Sequence, residues 1–294
     1  MLTTVLKHLR QLLVERKTER QIRHHWIPDT LWATTLDQFP FLSYRDAAQQ
    51  AELRRLSSLF LASKEFMVSA QGLEVGLVLS DEIAVAVAAQ ACVPILALEG
   101  GLSWYDDFVG IVLQPDQVVA RRQWIDEFTG LFHEQEEVIS GEAMPGGPVM
   151  LSWADVRDAG QVAAVGYNVV IHEFVHVLDM HGGGADGVPR IRDPQLRQDW
   201  IRTLGSELKR LRRRVRRGED TFLDPYACEG AEEFLPVASE AFFVAPHTLR
   251  SEHPALYEVF SRFYGQEPHR HAPTSEEATA PEAPDSQGRT NPLK

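Results

Sequence analysis

Residues 169–184 read "VVIHEFVHVLDMHGGG", an apolar run carrying three histidines and two carboxylates. A protein interior takes on that many ionisable groups only where they are partnered. Val169, Val170, Ile171, Phe174, Val175, Val177 and Leu178 surround them nearly all round, which marks a buried helix. The stretches "DVRDAGQVAAVGYN" before and "HGGGADGVP" after predict a helix of about fourteen residues with a glycine-rich stop. Inside it, His172, Glu173 and His176 spell HExxH. Residues four apart share one helix face, so both imidazoles reach a single cation. Glu173 is rotated by about 100° and addresses a water beside that cation without ligating it. Two imidazoles, a third protein ligand and a water make a catalytic zinc site, which predicts one Zn2+ per chain. Zinc lowers the pKa of its water to about 7, and Glu173 takes the proton as the water attacks a carbonyl.

The third ligand is not settled by spacing. The pattern HExxHxxGxxH needs Gly at 179 and His at 182, whereas this chain has Asp179 and Gly182. His181 is one residue out of phase and reads as a loop histidine. The other common solution is a Glu on a later helix, and "YACEGAEEFLPVASE" (226–240) offers Glu229, Glu232, Glu233 and Glu240. Glu233 and Glu240 are seven apart and share a face, while Glu232 points about 100° away. Helical geometry does not choose between the first two.

Outward from this stretch, the first sixty residues read as amphipathic helices, with Leu53, Leu56, Leu59 and Phe60 at helical spacing. "PDTLW" (28–32) is a helix start, and "SDEIAVAVAAQACVPILAL" (80–98) is a buried helix capped by Ser80 or Asp81 and ended by Pro94. "FVGIVLQ" (108–114), "QVVARRQWI" (117–125) and "GPVMLSW" (147–153) are strand-like. Residues 266–294, rich in Pro, Ser, Thr and Glu, are expected to be disordered.

The formal charge of −13 argues against direct nucleic-acid binding. No run approaches a membrane span, and the N-terminus lacks the apolar core and cleavage site of a secretory signal, so a cytoplasmic protein is expected. Two cysteines, Cys92 and Cys228, make no disulfide framework and no CxxC site. Against the acidic balance, positions 209–217 hold seven Lys or Arg residues. They are either the solvated face of a helix or a docking patch for an acidic partner.

"NVVIHEFVHVLDM", "GPVMLSW" and "DPYACEGAEEF…SEAFF" together resemble the Mlc titration factor A family of bacterial zinc metallopeptidases. "KEFMVSAQGLEV" with "IAVAVAAQACVPIL" (64–96) resembles the family's N-terminal half, so the likeness spans about residues 20–265. The arrangement of HExxH helix, Tyr and Glu is also similar to that of the anthrax lethal factor catalytic domain. The resemblance implies that Glu233, seven residues after Tyr226, is the third ligand beside His172 and His176. It implies that Tyr226 donates its hydroxyl to the developing oxyanion, with Glu173 as general base. It further implies peptide or protein substrates, aminopeptidase activity in some members, and a second role in binding a glucose-responsive transcriptional repressor of the Mlc type. An edge strand that pairs with the substrate backbone would fall at "GPVMLSW", for which core packing is the rival reading.

The motif implies an α+β, zincin-like fold with a helix-rich N-terminal half (about 1–98) and a small, mostly antiparallel sheet. The catalytic part would cover about 99–265, and residues 1–265 would form a single domain. Glu240 and Asp179 are either orienting partners of the histidines or solvated carboxylates. Two residues depart from the family pattern. Pro236 falls inside the helix that should carry Glu233, where it disturbs the backbone unless the helix is kinked or begins late. Cys228 stands where the family more often has a small residue, and it reads as a buried filler or a thiol sensitive to oxidation.

Overall fold

The alternation of buried apolar helices with short β segments gives an α+β architecture, in which α1 (Asp29–Gln38) and α2 (Ala47–Ser63) come first. The computed structural model describes residues 24–125, 132–162, 166–181 and 183–273. The expectation of helices before residue 24 lies outside them. Helix α2 starts in a reciprocal capping box: Asp46 accepts the Gln49 backbone N–H at 2.8 Å, and the Gln49 side chain accepts that of Asp46. Its Leu53, Leu56 and Phe60 are buried, at the helical spacing read from the sequence.

β1 (Glu65–Val68) and the short α3 (Ala70–Glu74) lead into α4 (Asp81–Ala91), capped by Ser80 and ending just short of Pro94. β2 (Gly110–Gln114) follows. Next come the antiparallel pair β3 (Val118–Ile125) and β4 (Phe132–Ile139), then β5 (Gly141–Ala143), β6 (Val149–Ser152) and α5 (Trp153–Val162). The chain then runs through α6 (Val169–Met180), α7 (Pro194–Arg216), α8 (Ala231–Val244), α9 (Pro246–Glu252) and α10 (Pro254–Tyr264).

The four-stranded sheet has the order β1-β2-β6-β5, and it is mixed, where mostly antiparallel pairing was expected. β1 with β2 and β2 with β6 are parallel, because long crossovers separate them. Only β5 and β6, joined by the turn 144–148, are antiparallel. β6, the "GPVMLSW" strand, is therefore internal and not an edge. Val149, Leu151 and Ser152 are buried, in line with core packing. The edge on that side, among the described strands, is β5.

Helix α6 forms the centre of the core. Phe174 on its back packs against Tyr105 (ring centroids 5.0 Å apart), Phe60 and Phe108. Helix α8 packs beside α6; its Phe242 stacks on Tyr264 of α10, and its Phe243 meets the same ring edge-on. The expected tail begins in an ordered segment: Gln266 is buried and Pro268–Arg270 form a 3-10 turn. Positions 274–294 lie outside the described residues. No described helix is long and apolar enough to cross a membrane.

Candidate metal centre

Asn168 starts α6. Its side-chain oxygen accepts the Ile171 N–H at 2.9 Å, and with this N-cap the helix turns His172 and His176 onto one face. Helix α8 starts at Ala231, so Glu233 lies in its first turn and points at the same place. The three atoms His172 Nε2, His176 Nε2 and Glu233 Oε2 form a triangle with sides of 3.2, 3.3 and 3.4 Å. Tetrahedral ligands held about 2.0–2.1 Å from a zinc ion are spaced by about 3.3–3.4 Å, so this donor set fits one such ion. Among the described residues, these three form the one cluster of His, Cys, Asp or Glu able to hold a metal.

Glu240, one helical repeat beyond Glu233, is 1% exposed and lies 2.7 Å from His172 Nδ1. An ionised carboxylate only accepts, so His172 carries its proton on Nδ1 and keeps the Nε2 lone pair for a cation. The other Glu240 oxygen accepts the Asn168 backbone N–H. Asn168 Nδ2 in turn donates to Gln90 Oε1 at 2.7 Å, and Gln90 Nε2 donates to the Ala86 carbonyl. A chain of hydrogen bonds thus runs from α4 through the cap of α6 and α8 to the histidine.

Glu173 is 5% exposed and lies against β5. A Cβ on Gly141 would fall 2.6 Å from both Cγ and Oε1 of Glu173, so only glycine leaves room for this carboxylate. Burial pushes the Glu173 carboxyl up, with the two histidines pulling the other way. Burial also raises Glu233, but the hydrogen bonds of His172 and His176 outweigh it and hold Glu233 well below the usual carboxylate range. Burial lowers His172, yet the charge of Glu240 and the hydrogen bonds to Glu233 and Glu240 carry it well above its ordinary value. The field at this point favours positive charge.

The family of glucose-regulated metallo-peptidases designated M90 matches residues 13–265. The chain belongs to that family. It is therefore a metallopeptidase, and the resemblance read from its motifs holds over most of its length. Among curated relatives, Mlc titration factor A of Salmonella arizonae is 36% identical over 82% of this chain and 92% of its own. That of Cronobacter sakazakii is 35% identical over 81% and 86%. An uncharacterized protein of Synechocystis sp. is 31% identical over 85% and 88%.

The other predicted residues divide. Tyr226 sits on a 3-10 turn (Pro225–Cys228), 38% exposed, its ring 6.2 Å from that of His172. Arg212 of α7 holds this turn from behind, donating to the carbonyls of Cys228 (2.8 Å) and Glu229 (3.0 Å). Cys228 is half-buried and its thiol is pushed up by burial, which disfavours the reactive thiolate. Glu232 is exposed and lies over Gly230 at the helix start, away from the histidines. His181 pairs with Asp107 at 2.8 Å and packs on Trp104, as befits a loop histidine.

Of the two carboxylates read as orienting groups, Glu240 bonds a histidine and Asp179 does not. Asp179 accepts the Gly187 N–H at 2.7 Å. Helix α8 runs unbroken through Pro236. The proline lies one turn beyond Glu233 and deprives only the Glu232 carbonyl of its helical donor, so Glu233 keeps its aim. Gln90, Asn168 and Gly141 escaped the sequence reading. A polar Gln inside "IAVAVAAQACVPIL" and an Asn just before the apolar run were available signals; for Gly141 there was none.

Proposed function

We propose that the chain is a zinc peptidase in which His172, His176 and Glu233 hold the metal and Glu173 is the general base. The observation that carries this reading is the triangle of ligand atoms, sized for one tetrahedral ion, with a buried carboxylate adjacent to it on the same helix. Zinc, when bound, lowers the pKa of a coordinated water to about 7 and polarises the scissile carbonyl. Glu173 accepts a proton from the attacking water and delivers it to the leaving nitrogen. Its raised carboxyl is suited to that exchange. Tyr226, exposed beside His172, donates its hydroxyl to the developing oxyanion. Glu240 fixes the tautomer of His172. The outer edge of β5, with Glu173 behind it, offers backbone groups to an extended peptide.

The test is Glu173→Gln. The variant should bind one zinc per chain as the wild type does, while peptide hydrolysis falls by about 10²–10⁴-fold. Hydrolysis at the wild-type rate by a zinc-loaded variant would sink the mechanism. Running the assay on peptides with free and blocked amino termini tests the aminopeptidase activity that the resemblance implies.

A second reading draws on the names of the curated relatives, Mlc titration factor A: this chain also sequesters a transcriptional repressor of the Mlc type. Repressor capture that survives Glu173→Gln would separate that role from catalysis. Loss of capture with the carboxylate would tie the two together.

A further inference from the structure

Residues 1–23 read "MLTTVLKHLRQLLVERKTERQIR" and precede the described chain. At about 100° per residue, Leu2, Val5, Leu6, Leu9, Leu12 and Leu13 fall within an arc of about 120°, the apolar stripe of an amphipathic helix. The segment also holds six Lys or Arg residues against two Glu, in a chain whose net charge is −13. A helix of that kind draws its stability from a surface that covers its stripe. The family match begins at residue 13, so most of the stripe lies ahead of it.

The described chain carries a surface of matching chemistry. Met67 on β1, Leu73 on α3, Val75 and Val78 after it, and Val109 ahead of β2 are each between 50% and 75% exposed. Backbone bonds hold them close: Glu65 donates to the Val109 carbonyl at 3.3 Å, and Leu77 donates to that of Gly72 at 2.8 Å, closing the turn that carries Leu73 and Val75. A Cβ on Gly72 would fall 2.6 Å from Val68 Cγ1, so α3 lies directly against the end of β1. Single exposed apolar residues are ordinary, but here five gather at the β1 edge of the sheet. Residues 65–82 also contain Glu65, Glu74, Asp81 and Glu82, all exposed, and no Lys, Arg or His.

The tether between the two is short. The Ile27 N–H donates to Ser58 Oγ at 3.2 Å, and Arg54 Nε donates to the Ile27 carbonyl at 3.0 Å. The segment therefore joins the described chain on α2, about 8 Å along the axis from the end of that helix at Ser63, and β1 begins at Glu65. A helix of residues 1–23 would be about 35 Å long, ample to cross that distance. We propose that residues 1–23 dock on this surface as an amphipathic helix, with the apolar stripe on Met67, Leu73, Val75 and Val78 and the basic flanks against Glu65, Glu74, Asp81 and Glu82. In the sheet β1 is the edge remote from β5, so the surface is separate from the metal centre and stands whether or not the peptidase mechanism does.

The test is amide hydrogen exchange of the full-length protein, read by mass spectrometry over residues 2–14. These amides should exchange at least about tenfold more slowly in the wild type than in the double variant Leu6→Gln, Leu9→Gln, which keeps helix propensity but interrupts the stripe. The double variant Val75→Asn, Val78→Asn changes two exposed residues and leaves the core alone; it should speed exchange of residues 2–14 at least about fivefold. An unprotected segment in the wild type would overturn the proposal, as would protection that Val75→Asn, Val78→Asn leaves untouched. Protection that rises with protein concentration would give the stripe to a second copy. Protection that appears only with phosphatidylglycerol vesicles would give it to a membrane surface, and either result overturns the proposal.

Discussion

The facing helices α6 and α8 bury Glu173 and Glu240 and cover most of His172, His176 and Glu233, whereas the run 209–217, the end of α7 and its C-cap, lays seven Lys or Arg residues along a solvated face. The basic run is the denser concentration of charge in the sequence, yet its groups are largely used by the chain itself. Arg212 holds the Tyr226 turn, Arg210 donates to the Glu252 carbonyl at 2.9 Å, and Arg214 donates to the Asp220 carbonyl and pairs with Glu219. Arg213, Arg214 and Arg216 also sit in the last turn, where positive charge suits the helix dipole. Between α6 and α8 the ionisable groups are fewer, but each faces another in a place water barely reaches. Chemistry follows the surroundings of the charges, not their density.

If that contrast is right, changes around the α6 and α8 face should act on metal and rate, and changes on α7, apart from Arg212 behind the Tyr226 turn, on stability or on nothing. After Glu173→Gln, the largest effect is expected for Glu240→Gln, which keeps the shape but weakens the hold on His172 Nδ1. Zinc affinity, measured by competition with a chelator, should fall by about 10–100-fold. An unchanged affinity would remove Glu240 from the account.

Gly141→Ala should lower kcat by about tenfold or more, because a displacement of about 1 Å at a reacting group is enough for a large loss. The metal content should not change. A variant with full kcat would mean that Glu173 does not need the space beside β5.

On α7, Glu207 accepts from His253 at 2.7 Å in a nearly closed site. Burial raises Glu207, but His253 and Arg210 outweigh it, so its folded-state pKa lies below the usual value. The stability it adds is therefore complete above the unfolded pKa of about 4.3 and is lost as the pH falls through the folded value. Glu207→Gln should cost about 1–2 kcal/mol at pH 7, with the Tm gap to wild type closing below about pH 4. A gap that widens in acid would reverse the assignment.

The smallest effect is expected for the exposed Arg213. Arg213→Ala should leave both peptide hydrolysis and stability within about 0.5 kcal/mol of wild type. A larger loss of activity would reopen the docking reading of the basic run.

The α6 helix was legible because HExxH sits in an apolar run whose period and N-cap are local properties of the chain. The downstream carboxylates were legible as a set, since a seven-residue repeat fixes a shared helix face. That face did not say which of Glu233 and Glu240 comes within reach of both histidine Nε2 atoms. Their placement depends on the axial offset between α6 and α8, a tertiary quantity, and only the resemblance pointed to Glu233.

Strand directions failed for a similar reason. The sequence of β2 and β6 shows that they are buried strands, but whether they pair in parallel depends on the path of the crossovers. Gly141 was illegible because its meaning is the space it leaves for a side chain on another element.

Gly187, the glycine that Asp179 holds, has a practical consequence. Its carbonyl accepts Trp200 Nε1 at 2.8 Å, and a Cβ there would fall 2.6 Å from the Ala231 carbonyl oxygen. At Gly183 and Gly184, by contrast, an added Cβ meets nothing within 4 Å. The connection after α6 is thus clamped at one end and open at the other. Residues 183–184 are where a reporter peptide or a spectroscopic label can be inserted a few residues from α6, while Gly187 must be left as it is.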